Sequence, residues 1–196
     1  MKKLLSLVLM LSIAFVANVA VAQVSNNDTF STVNVTVGPA ISIACDPSVA
    51  MGTITGTGTA SNTGTCTIIT NNASGYDLDW TASAATMTND GSTFAAYTPA
   101  SPNTPETWSV ATTAAEWGGR LSSTSTYPDT GTWGTDSSDE TYLDVDTSAY
   151  TIVSPNRETS VGGDAQVLEF KSEVGSNVLQ ETGSYTVNVT MTATTL

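Results

Sequence analysis

Two cysteines are the first side chains of this sequence that could do chemistry. Cys45 and Cys66 are the only cysteines of the 196-residue chain. They form no C-x-x-C pair for redox chemistry, and the chain has no His to complete a metal site with two thiolates. In an oxidising compartment such a pair becomes a disulfide. Closing a loop of about 22 residues would stabilise the fold by about 3 kcal/mol. The sequence therefore predicts a Cys45–Cys66 disulfide.

Five carboxylates fall between positions 136 and 146 and could hold a cation. Ca²⁺ takes six to eight oxygen ligands, which a carboxylate cluster can supply. The spacing does not match the D-x-[DN]-x-[DN]-G loop, however. Two interpretations stay open, a Ca²⁺ site or a solvated acidic loop. The residues concerned are Asp136, Asp139, Glu140, Asp144 and Asp146.

Three aromatic residues, Trp117, Tyr127 and Trp133, lie among Gly, Ser and Thr outside any clear strand alternation. Exposed aromatic rings are one way in which a secreted domain binds sugars. The alternative is that these rings pack inward and hold a long loop against the body of the domain. The first interpretation predicts a ligand site at these three residues and a surface glycan as a partner.

The residue inventory argues against catalysis. Without His there is no imidazole base, and no G-x-S-x-G sequence is present. Asp77 and Asp79 share one face of a predicted strand, as a glycosidase pair could, but the polar outer face of a sheet is their ordinary place. We therefore expect no enzyme activity, no catalytic residues and no cofactor other than the Ca²⁺ considered above.

Charge excludes another class of function. The chain has 5 Lys and Arg against 18 Asp and Glu, a formal charge of −13. Two of the five cations, Lys2 and Lys3, lie within the first 22 residues. So acidic a chain has no basic surface for a phosphate backbone, and we expect no nucleic-acid partner. Mutual repulsion favours solubility instead.

Residues 1–22 resemble a secretory signal peptide. Lys2 and Lys3 precede an apolar stretch over 4–16, and Ala20-Val21-Ala22 is a small-x-small cleavage site. Cleavage before Gln23 predicts a secreted protein, extracellular or at the cell surface, which would pass through the periplasm of a Gram-negative host. Since no later apolar run is long enough to span a bilayer, we expect no membrane insertion after cleavage.

Thr and Ser dominate residues 23–196, with 35 Thr and 21 Ser, and helical periodicity is nearly absent. Thr favours strands, while Ser, Gly and Asn favour turns. The sequence predicts an all-β, antiparallel sandwich. Only 112–117 has a helix-like pattern. Strands are predicted over 30–37, 41–45, 65–70, 76–81, 84–88, 93–97, 108–112, 150–153, 166–170 and 185–194. Asn89-Asp90-Gly91 predicts a hairpin turn between 84–88 and 93–97.

The domain organisation predicted from these patterns has three parts. A signal peptide over 1–22 is followed by an N-terminal extension or first strand over 23–37 and by one sandwich domain over 38–196. A long loop excursion interrupts the sandwich around residues 100–147. It is too aromatic to be called disordered.

Several short motifs together resemble a known architecture. Trp80 follows Cys66 by 14 residues, as a core Trp does in immunoglobulin domains, but the second Cys of that fold is missing downstream. The matching motifs are the alternating lead-in over 33–43, Cys45-Asp46-Pro47, Met51-Gly52, Cys66, Gly75-Tyr76-Asp77-Leu78, and Gly183-Ser184-Tyr185-Thr186-Val187-Asn188-Val189-Thr190. They resemble the immunoglobulin-like, pilin-like sandwiches of bacterial spore coat protein U-type domains and chaperone–usher fimbrial subunits.

The resemblance covers the first third and the last strand, not the region from about 90 to 165. It departs from fimbrial subunits at the C-terminus, where Leu196 replaces the usual Tyr. It implies a disulfide between the first two core strands and a sandwich that lacks one strand. A neighbour's N-terminal strand then fills the groove.

Residues 23–37 are the predicted donor, with Val33, Val35 and Val37 as the inserting side chains and Gly38-Pro39 as the hinge. The alternative is that 30–37 pairs within its own domain. The function expected from this resemblance is that of an adhesive or structural surface protein, a fimbria-like subunit whose partners are copies of itself or related subunits. The alternative function is a monomeric, secreted carbohydrate-binding module.

Overall fold

The computed structural model describes residues 32, 34–135 and 138–196. The chain divides into two units, Met1–Val37 and Gly38–Leu196. The predicted leader over 1–22 lies outside the described residues, as do Val33 and Asp136. Among the residues that are described, no helix is long and apolar enough to cross a membrane.

The regular secondary structure of the unit Gly38–Leu196 is almost entirely strand, which confirms the all-β prediction. One short helix, α1, spans Thr130–Trp133 and begins at Asp129, whose carboxylate accepts a hydrogen bond from the backbone N–H of Thr132. The strands are β1 (Ile41–Cys45), β2 (Gly58–Thr70), β3 (Tyr76–Ala82), β4 (Met87–Asn89), β5 (Ser92–Ala96), β6 (Glu106–Thr107), β7 (Ala115–Leu121), β8 (Thr141–Tyr142), β9 (Tyr150–Val153), β10 (Asp164–Val174) and β11 (Val189–Thr195).

Two main sheets form the fold. The larger has the strand order β1-β2-β10-β7-β5-β4, the smaller has the order β11-β3-β9, and β6 and β8 form a separate pair. The pairings are antiparallel except that between β5 and β7, which is parallel. β10 pairs with β2 along all eleven of its residues, from Asp164 opposite Ile68 to Val174 opposite Gly58. This long pair sets the length of the sandwich.

Alternation along β3 shows why this sequence forms a two-faced strand. Tyr76, Leu78 and Trp80 are fully buried, whereas Asp77 and Asp79 between them are only half-buried. A period of two places every second side chain on the core face. Burying three large apolar side chains on one face also fixes the register, since a slip of one residue would bring the carboxylates inward.

The predicted hairpin turn at Asn89-Asp90-Gly91 is confirmed. β4 and β5 flank it, and Asp90 and Gly91 have φ angles of 44° and 97°. Two successive residues with positive φ are typical of the type I′ turn, whose twist matches that of the strands it joins. Asp tolerates this conformation and Gly adopts it without steric cost.

The strand predicted over 108–112 is wrong, because no strand covers those residues. The segment 112–117, which has the most helix-like pattern of the chain, runs into β7. β7 lies inside the predicted excursion but is an internal strand of the larger sheet, between β10 and β5. It is accommodated there because Gly118 and Gly119 leave room for neighbouring groups. A Cβ at Gly118 would lie 2.6 Å from the carbonyl oxygen of Leu143.

We predict that Gly118→Ala destabilises the fold, because the added methyl group would have to displace backbone. Overpacking of this kind costs about 1–3 kcal/mol. The control is Gly162→Ala, where the nearest atom to a Cβ is 3.9 Å away. Chemical denaturation of both variants should show a loss for Gly118→Ala only; equal midpoints would contradict the close packing of β7.

Candidate functional site

An open groove of about 1030 Å³ runs along one side of the unit Gly38–Leu196. Its first wall is the segment 45–56 and its second wall is the segment 180–191. Its floor consists of core side chains from β4, β5, β7 and β10, namely Met87, Phe94, Trp117, Leu168, Phe170 and Val174. The site is therefore a long trough between the edges of the two sheets, with an apolar floor and walls of mixed polar and apolar residues.

The first wall leaves β1 at Cys45 and continues without strand structure to Thr57. Val49, Met51 and Ile54 are its partly buried side chains. The Asp46 backbone N–H donates to the carbonyl oxygen of Thr65 at 2.9 Å, and its carboxylate accepts from the Thr65 N–H at 2.8 Å. These bonds attach the beginning of the wall to β2.

The predicted disulfide is confirmed and lies at the beginning of this wall. Cys45 and Cys66 are directly opposite one another in the pairing of β1 with β2, with 4.0 Å between their Cα atoms. Both residues line the groove. The disulfide therefore fixes the point at which the first wall leaves the sheet.

The second wall ends in the first residues of β11, which is the edge strand of the smaller sheet and pairs on one side with β3. Thr190, Thr192 and Thr194 are exposed, while the residues that alternate with them face inward. The inward residues of β11 and the two inward-facing residues that precede the strand form one row, and all of them are only partly buried. The row is Tyr185, Val187, Val189, Met191 and Ala193.

The difference in burial between β3 and β11 shows what the groove lacks. The inward side chains of β3 are fully buried because strands flank it on both sides. The inward side chains of β11 pack against the core but remain partly open on the groove side. One further strand lying in the groove would cover this row from Tyr185 to Met191 and extend along the unpaired edge at the beginning of β11, whereas β1 already lies close to β11.

The predicted donor segment is described only in part. Asn34–Val37 form no strand, and the side chains of Val35 and Val37 are 89% and 78% exposed. Val33 lies outside the described residues. Two of the three predicted inserting side chains are thus apolar groups in contact with water.

The predicted aromatic ligand site does not exist as a platform. Trp117 and Trp133 are 0% and 1% exposed, so their ring faces are not available to a sugar. Trp117 lies under the groove. Trp133 packs edge-on against Trp80 at a centroid distance of 5.7 Å and donates its indole N–H to the carbonyl oxygen of Ile152. Tyr127 is 37% exposed. The two indoles pin the excursion to the core, as the alternative interpretation stated.

The predicted carboxylate cluster is dispersed over separate partners. Asp139 accepts hydrogen bonds from Thr135, Glu140 pairs with basic residues, and Asp146 accepts from the backbone N–H of Ser148. Burial, and then the neighbouring Asp146, raises the pKa of Asp144. Within the described ranges, which omit Asp136, no three or more His, Cys, Asp or Glu could together hold a metal ion.

Sequence reasoning missed a charged cluster on the outer face of the larger sheet. Arg120 on β7 is 3% exposed and pairs with Glu169 on β10 at 2.7 Å and with Glu140 at 3.4 Å. Lys171 pairs with Glu140 at 3.8 Å, and its ammonium lies over the ring of Tyr142, 4.9 Å from the centroid. This cluster holds the region around β8 against the sheet.

Arg157 forms a second pairing that the sequence did not reveal. Its guanidinium lies 3.2 Å from both carboxylate oxygens of Asp164, which is 1% exposed. Tyr76 also donates to Asp164, and Gln166 donates to the Tyr76 hydroxyl at 2.8 Å. Burial raises the pKa of Tyr76 to about 12. The scarcity of cations could have signalled that each one has a structural partner.

The chain was compared with protein-family models, with curated proteins and with solved structures, and none of the three comparisons gives a match. The function must therefore be argued from the groove and from the chemistry of the chain.

We predict that Arg157→Met destabilises the protein by about 3 kcal/mol, because it leaves the buried Asp164 carboxylate without its cation. The double variant Arg157→Met/Asp164→Asn should recover part of this loss, since an amide carries no charge. The free energies of unfolding of both single variants and the double variant form a double-mutant cycle. Simple additivity would contradict the coupling.

We also predict that Cys45→Ala/Cys66→Ala lowers the free energy of unfolding by about 3 kcal/mol. Because the disulfide anchors the first wall, hydrogen exchange over 46–57 should accelerate more than exchange in β10. A reductant should destabilise the unmodified protein and leave the variant unchanged. Uniform acceleration throughout the fold would show that the disulfide has no local effect on the groove.

Proposed function

We propose that this protein is an exported structural subunit that assembles by strand donation, residues 23–37 of one copy filling the groove of the next. The observation that carries the proposal is the groove with an apolar floor that runs beside the unpaired edge at the beginning of β11. An exposed sheet edge offers unpaired N–H and C=O groups to an incoming strand, and alternate pockets accept its side chains.

The period of the donor agrees with that of the groove. Side chains two residues apart on a strand are separated by about 6.6 Å. Val33, Val35 and Val37 recur with this spacing, as do Val187, Val189 and Met191 on the second wall. The polar residues between the valines would then face water, as Thr190 and Thr192 do on β11.

Charge also favours this segment as the donor. Asp28 is the only charged residue of 23–37, in a chain with a formal charge of −13. A nearly neutral strand can enter the groove of an acidic neighbour with little repulsion, whereas two acidic bodies repel unspecific contacts. Repulsion between the acidic bodies therefore disfavours non-specific aggregation but allows this specific contact.

The direction of the chain supports an open fibre. The Asn71 amide donates to the carbonyl oxygen of Gly38, and the Asn72 amide donates to that of Leu196. The chain thus enters the unit Gly38–Leu196 at the end where β11 finishes. We call this end the terminal end and the opposite end the distal end. A donor antiparallel to β11 would enter from the acceptor's terminal end and finish at its distal end. Repetition of this head-to-tail contact does not close and generates a filament.

Export belongs to the same proposal. The predicted leader directs the chain out of the cytoplasm, and the Cys45–Cys66 disulfide forms readily in an oxidising compartment. We therefore infer a surface location, with structural or adhesive use of the assembled subunits.

The proposal predicts that Val35→Asp/Val37→Asp abolishes polymerisation, because two carboxylates would have to enter an apolar groove. The matched control is Asn34→Asp/Thr36→Asp, which places the same two charges in the same segment on the opposite face. Size-exclusion chromatography and negative-stain microscopy of the exported proteins should show filaments or ladders for the control and for the unmodified chain only.

Deletion of 23–37 should likewise leave a monomer, and one that is less stable in the cold or in denaturant than the assembled chain. The proposal fails if the unmodified protein never polymerises and its stability equals that of the truncated form. It also fails if both aspartate variants polymerise equally well.

A further inference from the structure

The exposed apolar side chains of the unit Gly38–Leu196 are concentrated at its two ends. Its large hydrophobic residues with substantial exposure, among those described, number five. Two of them, Val161 and Leu179, are 100% and 99% exposed; the set is Ile69, Tyr127, Val161, Leu179 and Leu196. Single exposed apolar residues are ordinary on a protein surface. The uneven distribution of these five residues between the two ends is the unusual feature.

Four of the five lie at the terminal end. Val161 precedes the first residue of β10, Asp164, by three positions, and Ile69 adjoins Ile68, which pairs with Asp164. A Cβ on Gly163 would lie 2.9 Å from Cγ1 of Ile69, so the loop bearing Val161 passes beside that side chain. Ile69 and the loop that bears Val161 are therefore neighbours at this end.

Leu196 and Tyr127 complete the group. Leu196 is bound at this end through Asn72, and Tyr127 lies under the guanidinium of Arg157, 5.7 Å from it. Arg157 in turn pairs with Asp164, the first residue of β10. All four side chains therefore belong to the end at which the chain enters the unit.

Leu179 lies at the distal end. It follows the last residue of β10, Val174, by five positions, and its neighbour Gln180 donates to the hydroxyl of Ser92 beside the β4–β5 turn. The eleven residues of β10 separate this end from the terminal end by about 36 Å. One isolated apolar side chain thus stands at the end opposite to a group of four.

We propose that consecutive copies of this chain also contact one another end to end, with Ile69 and Val161 of one copy covering Leu179 of the next. This inference rests on the strand donation proposed above. In that arrangement Val37 of the donor finishes at the distal end of the acceptor, and Gly38 is bound at the donor's own terminal end. The terminal end of each copy is thereby brought against the distal end of its neighbour.

The contact is heterologous, since the two surfaces differ, and so it repeats along a filament rather than closing a dimer. Removal of fully exposed apolar side chains from water favours it without any charge pairing. The contact restricts the rotation of one subunit about the donated strand and stiffens the filament.

Cysteine cross-linking tests this contact directly, because both native cysteines are already paired. In Val161→Cys/Leu179→Cys, mild oxidation of assembled filaments should link consecutive subunits covalently. Boiled, non-reduced samples on a denaturing gel should then show a ladder that a reductant collapses. The matched control is Thr63→Cys/Leu179→Cys, which moves one thiol to an exposed position in the middle of β2 and should give no ladder.

The outcomes separate the two proposals. Filaments that form normally but do not cross-link through 161 and 179 overturn the end-to-end contact and leave strand donation standing. Equal ladders from both double variants also overturn it, because the linkage would then be unspecific. Absence of filaments from the unmodified protein under the same conditions overturns strand donation, and the end-to-end contact with it.

Discussion

The free edge of β11 beside an apolar groove is the physical constraint on which the rest of this structure depends. An edge strand with inward apolar residues leaves backbone hydrogen-bonding groups and hydrocarbon surface exposed to water at once. In β3, where strands flank both edges, equivalent side chains are fully buried. The row from Tyr185 to Ala193 is also apolar but is only partly buried, and its residues up to Met191 line the groove. A further strand would pair with the exposed backbone groups and cover the exposed hydrocarbon surface at the same time.

Other features of the fold hold this opening in shape. The disulfide and the hydrogen bonds of Asp46 attach the first wall to β2, so that the groove does not collapse onto its own floor. Farther away, Arg120, Arg157 and Lys171 are each paired with carboxylates that fasten the excursion and the loop before β10. Since these are the only basic residues of 23–196, the remaining surface is acidic. That surface disfavours unspecific contact between copies.

The features of the fold that could be predicted from the sequence are those that leave a signal in a short segment of it. The strands with strict alternation, such as β3, the Asn89-Asp90-Gly91 turn and the disulfide were all predictable, because period two, positive φ and cysteine pairing are local signals. β7 was not, since Gly118 and Gly119 interrupt its apolar pattern and their purpose, close approach to Leu143, is visible only in three dimensions. The burial of Trp117 and Trp133 stayed an open alternative for the same reason: their polar sequence neighbours do not reveal which partners bury them. The groove could not be predicted, because it lies where no strand covers the inward side chains that precede and begin β11, and no single segment of the sequence encodes that.

Hydrogen exchange on assembled and unassembled protein tests the account most directly. Strand donation predicts that the amides of 33–37 and of the β11 edge become protected together on assembly, and that both exchange fast in a monomer lacking 23–37. Protection of 33–37 in the full-length monomer would contradict it, because the segment would then pair within its own copy. Filaments in which 33–37 still exchange freely would contradict it as well, since the subunits would be held together by some other contact.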